Sequence, residues 1–204
     1  MNKLKLILLW CLVVGALASC TKEDDTTPNL EAAEDYFPTT AGSNWTYGGA
    51  IQYTARVTGN TKEINGKTYF EYETQQGSTS NKSYLLKENG NYSAVGFMPN
   101  TGQMEIFILK EESIAGKPWV QEFTINGVLT TLTMSVEQKG ITKTVGDKTF
   151  DDVVNVKAIY TYSYMGQDLG TEIVANYYYA KGVGLILSDF GAQGQVKLLS
   201  YEIK

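Results

Sequence analysis

Along residues 154–164 the side chains alternate with a period of two. The even positions carry Val154, Val156, Ala158, Tyr160, Tyr162 and Tyr164; the odd ones carry Asn155, Lys157, Ile159, Thr161 and Ser163. Successive side chains of an extended chain point to opposite faces, so this stretch predicts a strand with one apolar and one wetter face. At ~3.3 Å per residue it would run about 35 Å, long for a small sandwich. Residues 128–136 repeat the pattern, with Val128, Thr130, Leu132, Met134 and Val136 opposed to Leu129, Thr131, Thr133 and Ser135. Asn65-Gly66, Asn89-Gly90 and Asn126-Gly127 separate runs of this kind, and Asn-Gly suits the positive φ of a two-residue hairpin turn. Gly146-Asp147 and the glycines from Gly166 to Gly170 and from Gly191 to Gly194 supply further turns. Roughly ten to twelve strands follow. Beyond the N-terminal run no 3.6-residue stripe occurs, and residues 110–115 have room for one helical turn. The expected fold is all-β: a large curved antiparallel sheet, a half-barrel or open barrel built of consecutive hairpins. Residues 64–69 and 145–150 echo each other as strand end, turn and Lys-Thr-aromatic, as two related half-sheets would.

The N-terminus departs from this pattern. Lys3 and Lys5 precede an apolar run over residues 6–18, too short for the ~20 residues that cross a bilayer. A basic start, a short apolar core and small residues before a cut site predict a secretory signal. Leu17-Ala18-Ser19-Cys20 resembles the lipobox of bacterial lipoproteins, which implies that the Cys20 thiol receives diacylglycerol and becomes the new N-terminus. The chain then divides into a signal peptide (1–19), a lipidated flexible tether (20–35) and one all-β domain (36–204). Lys22-Glu23-Asp24-Asp25 resembles the Lys-then-acidic export signal of some Gram-negative surface lipoproteins, and reads equally as a solvated linker. Asp25-Thr26-Thr27 is similar to a short O-glycosylation motif of such bacteria.

Charge narrows the partners. The whole chain carries −5 at neutral pH, and loss of Lys3 and Lys5 leaves 15 basic against 22 acidic groups, near −7. That balance opposes nucleic acid, which needs a basic stripe, and leaves membrane attachment to the lipid itself. With Cys11 removed and Cys20 acylated, the domain holds no thiol. The chain has no histidine either. Disulfides, thiolate metal sites, cysteine nucleophiles and every His-assisted triad are excluded; no metal and no cofactor is expected, and the chain reads as non-enzymatic.

The remaining chemical candidates are few. Gly182-x-Gly184 has Leu187 where a third glycine would stand and no helix after it, so it reads as a turn or bulge. Glu71 and Glu73 share a strand face about 7 Å apart, a separation open to a glycosidase pair. Because Phe70 and Tyr72 take the other face, the two glutamates are expected on the solvated side. Asp151 and Asp152 are expected on opposite faces of one strand. Tyr160, Tyr162 and Tyr164 line one strand face, and Tyr177 and Tyr179 line another. These five tyrosines are candidate walls of a semi-wet groove for lipid or sugar, with Trp45 and Trp119 as stacking platforms.

Three segments together resemble an uncharacterised family of bacterial lipoproteins. Tyr36-Phe37-Pro38 with Gly42, Trp45 and Tyr47 is similar to its opening, and residues 149–154 (TFDDVV) to its mid-chain segment. Residues 178–185 (YYAKGVGL) match its closing strand pair. The resemblance spans residues 36–204. It implies a curved half-barrel comparable to the periplasmic lipoprotein carriers, whose concave face holds acyl chains, and implies no catalytic residues. The expected protein is therefore anchored by lipid in the Gram-negative outer membrane, on the cell surface in one version. It binds a small or lipidic ligand, a glycan or an envelope-protein partner through one face of the sheet. Two other readings stand beside this: a structural or interaction subunit without ligand, and a carboxylate-based glycan hydrolase.

Overall fold

The computed structural model describes residues 35–98 and 102–204. The signal peptide, Cys20 and the cluster Lys22-Glu23-Asp24-Asp25 lie outside the described residues. The alternating runs form twelve strands: β1 (Asn44–Gly49), β2 (Tyr53–Ile64), β3 (Lys67–Gln76), β4 (Thr79–Glu88), β5 (Asn91–Met98), β6 (Gly102–Lys110), β7 (Pro118–Ile125), β8 (Val128–Val145), β9 (Lys148–Tyr164), β10 (Gln167–Ala180), β11 (Gly184–Asp189) and β12 (Gln195–Glu202). All belong to one antiparallel sheet in the order β6-β5-β4-β3-β2-β1-β12-β11-β10-β9-β8-β7. Every neighbour is a chain neighbour except β1 and β12, whose register runs from Asn44↔Glu202 to Gly49↔Val196. The sheet thus curls until its ends approach, a meander nearly closed into a barrel.

The hairpin signals hold. Asn65, Asn89 and Asn126 take φ of 52°, 51° and 50° at three tips, the left-handed conformation that asparagine tolerates best after glycine. Residues 110–115 do not make a helical turn. Lys110 ends β6, and two tight turns follow, closed by Ser113 N–H to the Lys110 carbonyl and Lys117 N–H to the Ile114 carbonyl. The two echoing hairpins, β2–β3 and β8–β9, lie six strands apart in chain order. Both carry bulges, between Val57 and Thr61 and between Val136 and Lys143. Both also bury the matching positions, Ile64 with Tyr69 and Val145 with Phe150.

In a meander alternate turns share an end. The turns around 50–52, 77–78, 126–127, 165–166 and 190–194 lie at one end, the mouth. The start of β1, the end of β12 and the turns at 65–66, 89–90, 111–117, 146–147 and 181–183 lie at the other. Residues 35–38 stop this second end. Phe37 packs between the rings of Tyr92 at 5.4 Å and Tyr179 at 5.0 Å. The Tyr72 hydroxyl donates to the Pro38 carbonyl, Gly182 N–H donates to the Asp35 carbonyl at 2.9 Å, and Lys87 pairs with the Asp35 carboxylate. Asp35, expected as the last tether residue, is part of the folded body.

The long gap in the ladder lies between β6 and β7, consecutive strands at the two sheet edges. Side chains bridge it. Phe107 N–H donates to Gln121 Oε1 at 2.7 Å, while Gln121 Nε2 and Trp119 Nε1 each donate to the Phe107 carbonyl at 3.1 Å. Gln121 offers a donor and an acceptor as a strand residue would, which masks one otherwise open edge pair.

Candidate functional site

Inside the barrel, between the stopper and the mouth, lies a cavity of about 260 Å³. Its floor is Phe37 and Pro38, and Tyr53, Thr74 and Ser83 stand toward the mouth. β1 has its alternate positions facing inward, which places Trp45 and Tyr47 in the wall, 3% and 5% exposed. Trp45 stacks on Tyr72 with centroids 5.8 Å apart, and Tyr47 stacks on Tyr53 at 4.6 Å. Their polar ends are spent on backbone: Trp45 Nε1–H donates to the Val183 carbonyl at 2.7 Å, and the Tyr47 hydroxyl to the Leu185 carbonyl at 3.0 Å. Apolar residues Leu85, Ala94, Ile108 and Leu185 complete the wall, and no lining residue carries a charge.

Burial holds these phenols neutral. It pushes Tyr53 up to about 12 and raises Tyr47, Tyr72 and Tyr179 well above the usual tyrosine range. Desolvation also raises Tyr160 and Tyr177, whose hydroxyls meet at 3.0 Å. The wall therefore offers hydrogen bonds without charge at any ordinary pH.

Of the five tyrosines that the alternation singles out, the fold brings three together. Tyr160 and Tyr177 share the hydroxyl contact, and Tyr177 stacks on Tyr179 at 6.5 Å. Only Tyr179 of these lines the cavity. Tyr162 is half-buried, and Tyr164 reaches the rim, 45% exposed. Of the two tryptophans, Trp45 lines the cavity and Trp119 holds the β6–β7 seam. The alternation did not select Phe37, Tyr47, Tyr53 and Tyr72 as a set, because they come from the stopper, β1, β2 and β3. The period of two at Trp45-Tyr47 and at Tyr53-Ala55-Val57 was the available signal.

Two carboxylate expectations are corrected. Glu71 is not on a solvated side: it is 6% exposed, whereas Phe70 is 37% exposed. The β2 bulge swings Thr58 and Asn60 onto Glu71 Oε1, at 3.0 and 3.2 Å, and Lys82 joins them at 3.0 Å. Tyr84 donates to Oε2 at 3.3 Å. Ile64, Tyr69, Tyr84 and Val95 form a small core of their own on the β3 face turned away from Tyr72, so both faces of β3 are covered. Hydrogen bonds from Lys82 and Asn60 hold the Glu71 carboxyl down to about 2. Glu73 is held by Arg56 at 2.5 Å and by the Ser80 hydroxyl at 2.7 Å. Nor do Asp151 and Asp152 take opposite faces of a regular strand. Asp152 has φ 50°, the ladder skips between Ile141↔Val153 and Lys143↔Phe150, and both residues are exposed. A bulge resets the alternation there.

No family profile and no curated protein matches this chain. Two crystal structures share its fold. A protein of Parabacteroides distasonis ATCC 8503, provisionally named a lipoprotein, superimposes with a TM-score of 0.55 at 12% identity, over 83% of this chain and 99% of its own. A provisionally named exported protein of Bacteroides fragilis NCTC 9343, with a YmcC-like fold, gives 0.53 at 13% identity, over 81% and 98%. At such identity the likeness is one of fold: a nearly closed antiparallel barrel that recurs in proteins named as lipoprotein and exported protein.

Proposed function

We propose that this protein is a lipid-anchored component of the Gram-negative envelope that carries a small apolar molecule inside its barrel and catalyses no reaction. The cavity carries this reading. A dry apolar void of about 150 Å³ already takes up benzene, so 260 Å³ suits a ring system or a short acyl chain rather than a whole phospholipid. The lipobox at Cys20 supplies the anchor, and the names of the two fold neighbours agree with an exported lipoprotein. Outer-membrane residence and display at the surface follow from the export-like Lys22-Glu23-Asp24-Asp25 in this reading.

Two measurements test it. Labelling cells with radioactive palmitate is expected to mark the wild type and not Cys20→Ala. Native mass spectrometry of the soluble Cys20→Ala protein is expected to show a bound species of one or two hundred daltons, roughly what the void holds. A protein that is only ever bare, and takes up no small apolar compound, ends the binding reading. It would favour an interaction subunit, for which one surface is suited: the β9–β10 tip exposes Met165 (83%) and Leu169 (50%) beside Tyr164.

A further inference from the structure

Aromatic residues make up 12% of the chain but six of the fifteen residues that line the cavity: Phe37, Trp45, Tyr47, Tyr53, Tyr72 and Tyr179. Each of the six is held against another ring. Tyr47 and Tyr53 are register partners on β1 and β2 and stack at 4.6 Å. Trp45 and Tyr72 stack at 5.8 Å across β2, where the residue opposite Trp45 is Ala55, too small to keep the two rings apart. Phe37 packs on Tyr179 at 5.0 Å, and Tyr179 stacks in turn on Tyr177 at 6.5 Å. Hydrogen bonds to the carbonyls of Val183, Leu185 and Pro38 fix the polar ends of Trp45, Tyr47 and Tyr72. Turning one of these rings into the void would break a stack or a hydrogen bond, so the aromatic wall is preset.

Resting on the cavity reading above, we propose that the cavity selects a flat aromatic ligand of about two fused rings over an acyl chain of the same carbon number. A ring ligand meets the wall rings either offset-stacked or edge-on, and both arrangements are attractive beyond the burial of apolar area. A saturated chain gains the burial alone. Rigidity acts in the same direction. A fused ring has no internal rotors to lose, whereas a chain gives up several on entering a wall that does not adapt to it. The size agrees: a void of about 150 Å³ takes one benzene ring, and this one is about 260 Å³. A carrier of acyl chains, which the sequence resemblance implies, would show the reverse preference.

The Cys20→Ala protein serves for the test with three hydrocarbons of equal carbon number: naphthalene, its saturated counterpart decalin, and decane. Headspace partitioning measures uptake. Each affinity is divided by the compound's own partition from water into hexadecane, which removes plain hydrophobicity. On that scale naphthalene is expected to exceed decane by about tenfold or more, the worth of two or more aromatic contacts. Decalin is expected between them, because it is rigid but has no π face. Tyr53→Leu, made in the same background, keeps the wall apolar and removes one ring of the Tyr47 stack. It is expected to lower naphthalene uptake by about two- to tenfold and to leave decane uptake unchanged, with circular dichroism confirming the fold; if it does not fold, the three ligands on the parent protein decide alone. Normalised uptake of decane or decalin equal to that of naphthalene overturns the ring selection while the cavity reading stands. Undiminished naphthalene uptake by folded Tyr53→Leu overturns it as well. Uptake of none of the three removes both.

Discussion

Four donors converge on the Glu71 carboxylate, from Thr58, Asn60, Lys82 and Tyr84. Those from Lys82, Asn60 and Thr58 favour the ionised form, which is why its carboxyl is held to about 2 against roughly 4.3 for an unfolded glutamate. A carboxyl depressed on folding stabilises the native state fully above the unfolded value. The contribution is lost as pH falls through the folded one. The resistance of the wild type to urea is therefore expected to fall from about pH 4.5 down to about 2. Glu71→Gln is expected to be less stable near neutrality and to show a flatter profile across that window. A second residue-scale expectation concerns Gly49, at φ 118°, where an added Cβ would stand 2.3 Å from the Gln195 carbonyl oxygen. Gly49→Ala is expected to cost more than the ~1–2 kcal/mol of left-handed backbone alone, read as a lowered urea midpoint with unchanged slope.

The β6–β7 seam belongs to the scale of elements. Two edge strands meet there without a backbone ladder, and the Gln121 amide serves both the N–H and the carbonyl of Phe107. Removing that amide in Gln121→Ala leaves the Phe107 N–H to water while the other strand ladders stay. Hydrogen exchange at Phe107 is expected to quicken by about five- to tenfold, the kinetic equivalent of one hydrogen bond. Amides in the β8–β9 ladder are expected to keep their rates. The tip of β8–β9 is fastened separately, by Lys148 Nζ donating to the Leu199 carbonyl at 2.8 Å and by Phe150 against Tyr201 at 6.2 Å.

At the scale of the molecule the barrel is stoppered at the end where the chain enters and hollow toward the mouth. Ala94 lines the hollow, so Ala94→Leu puts apolar volume into existing space. Stability is expected to rise by roughly 0.5–2 kcal/mol, as cavity filling commonly gives, and ligand uptake to fall by about tenfold or more. A thermal melt with and without naphthalene reads both effects, because a ligand that binds only the native state raises its melting temperature.

Much of this architecture is legible along the chain. Strict alternation marked the interior face of β9 from Val154 to Tyr160 and of β8 through Val136, and Asn-Gly pairs marked three tips, because both signals act within a few residues. The signal-like start, the cysteine behind it and the lack of histidine are equally local facts. Glu71 escaped because a bulge in the neighbouring β2 covers it with Thr58 and Asn60, and the Asp151-Asp152 pair because a bulge resets the period of its own strand; an extra residue in one strand shows only against its partner. The candidate site was half legible for a related reason. Tyr160, Tyr177 and Tyr179 lie on strands adjacent in sequence, whereas Phe37, Trp45, Tyr53 and Tyr72 meet Tyr179 only after the sheet curls. By itself the sequence determined strands and turns. The tertiary structure alone decided that β1 pairs with β12, that residues 35–38 stop one end, and that Trp45, Tyr47, Tyr53, Tyr72 and Tyr179 line one cavity. Those outcomes depend on contacts between residues from 34 positions apart, as Tyr72 with Pro38, to 158, as Asn44 with Glu202, and no local preference encodes which distant strand edge will close the barrel.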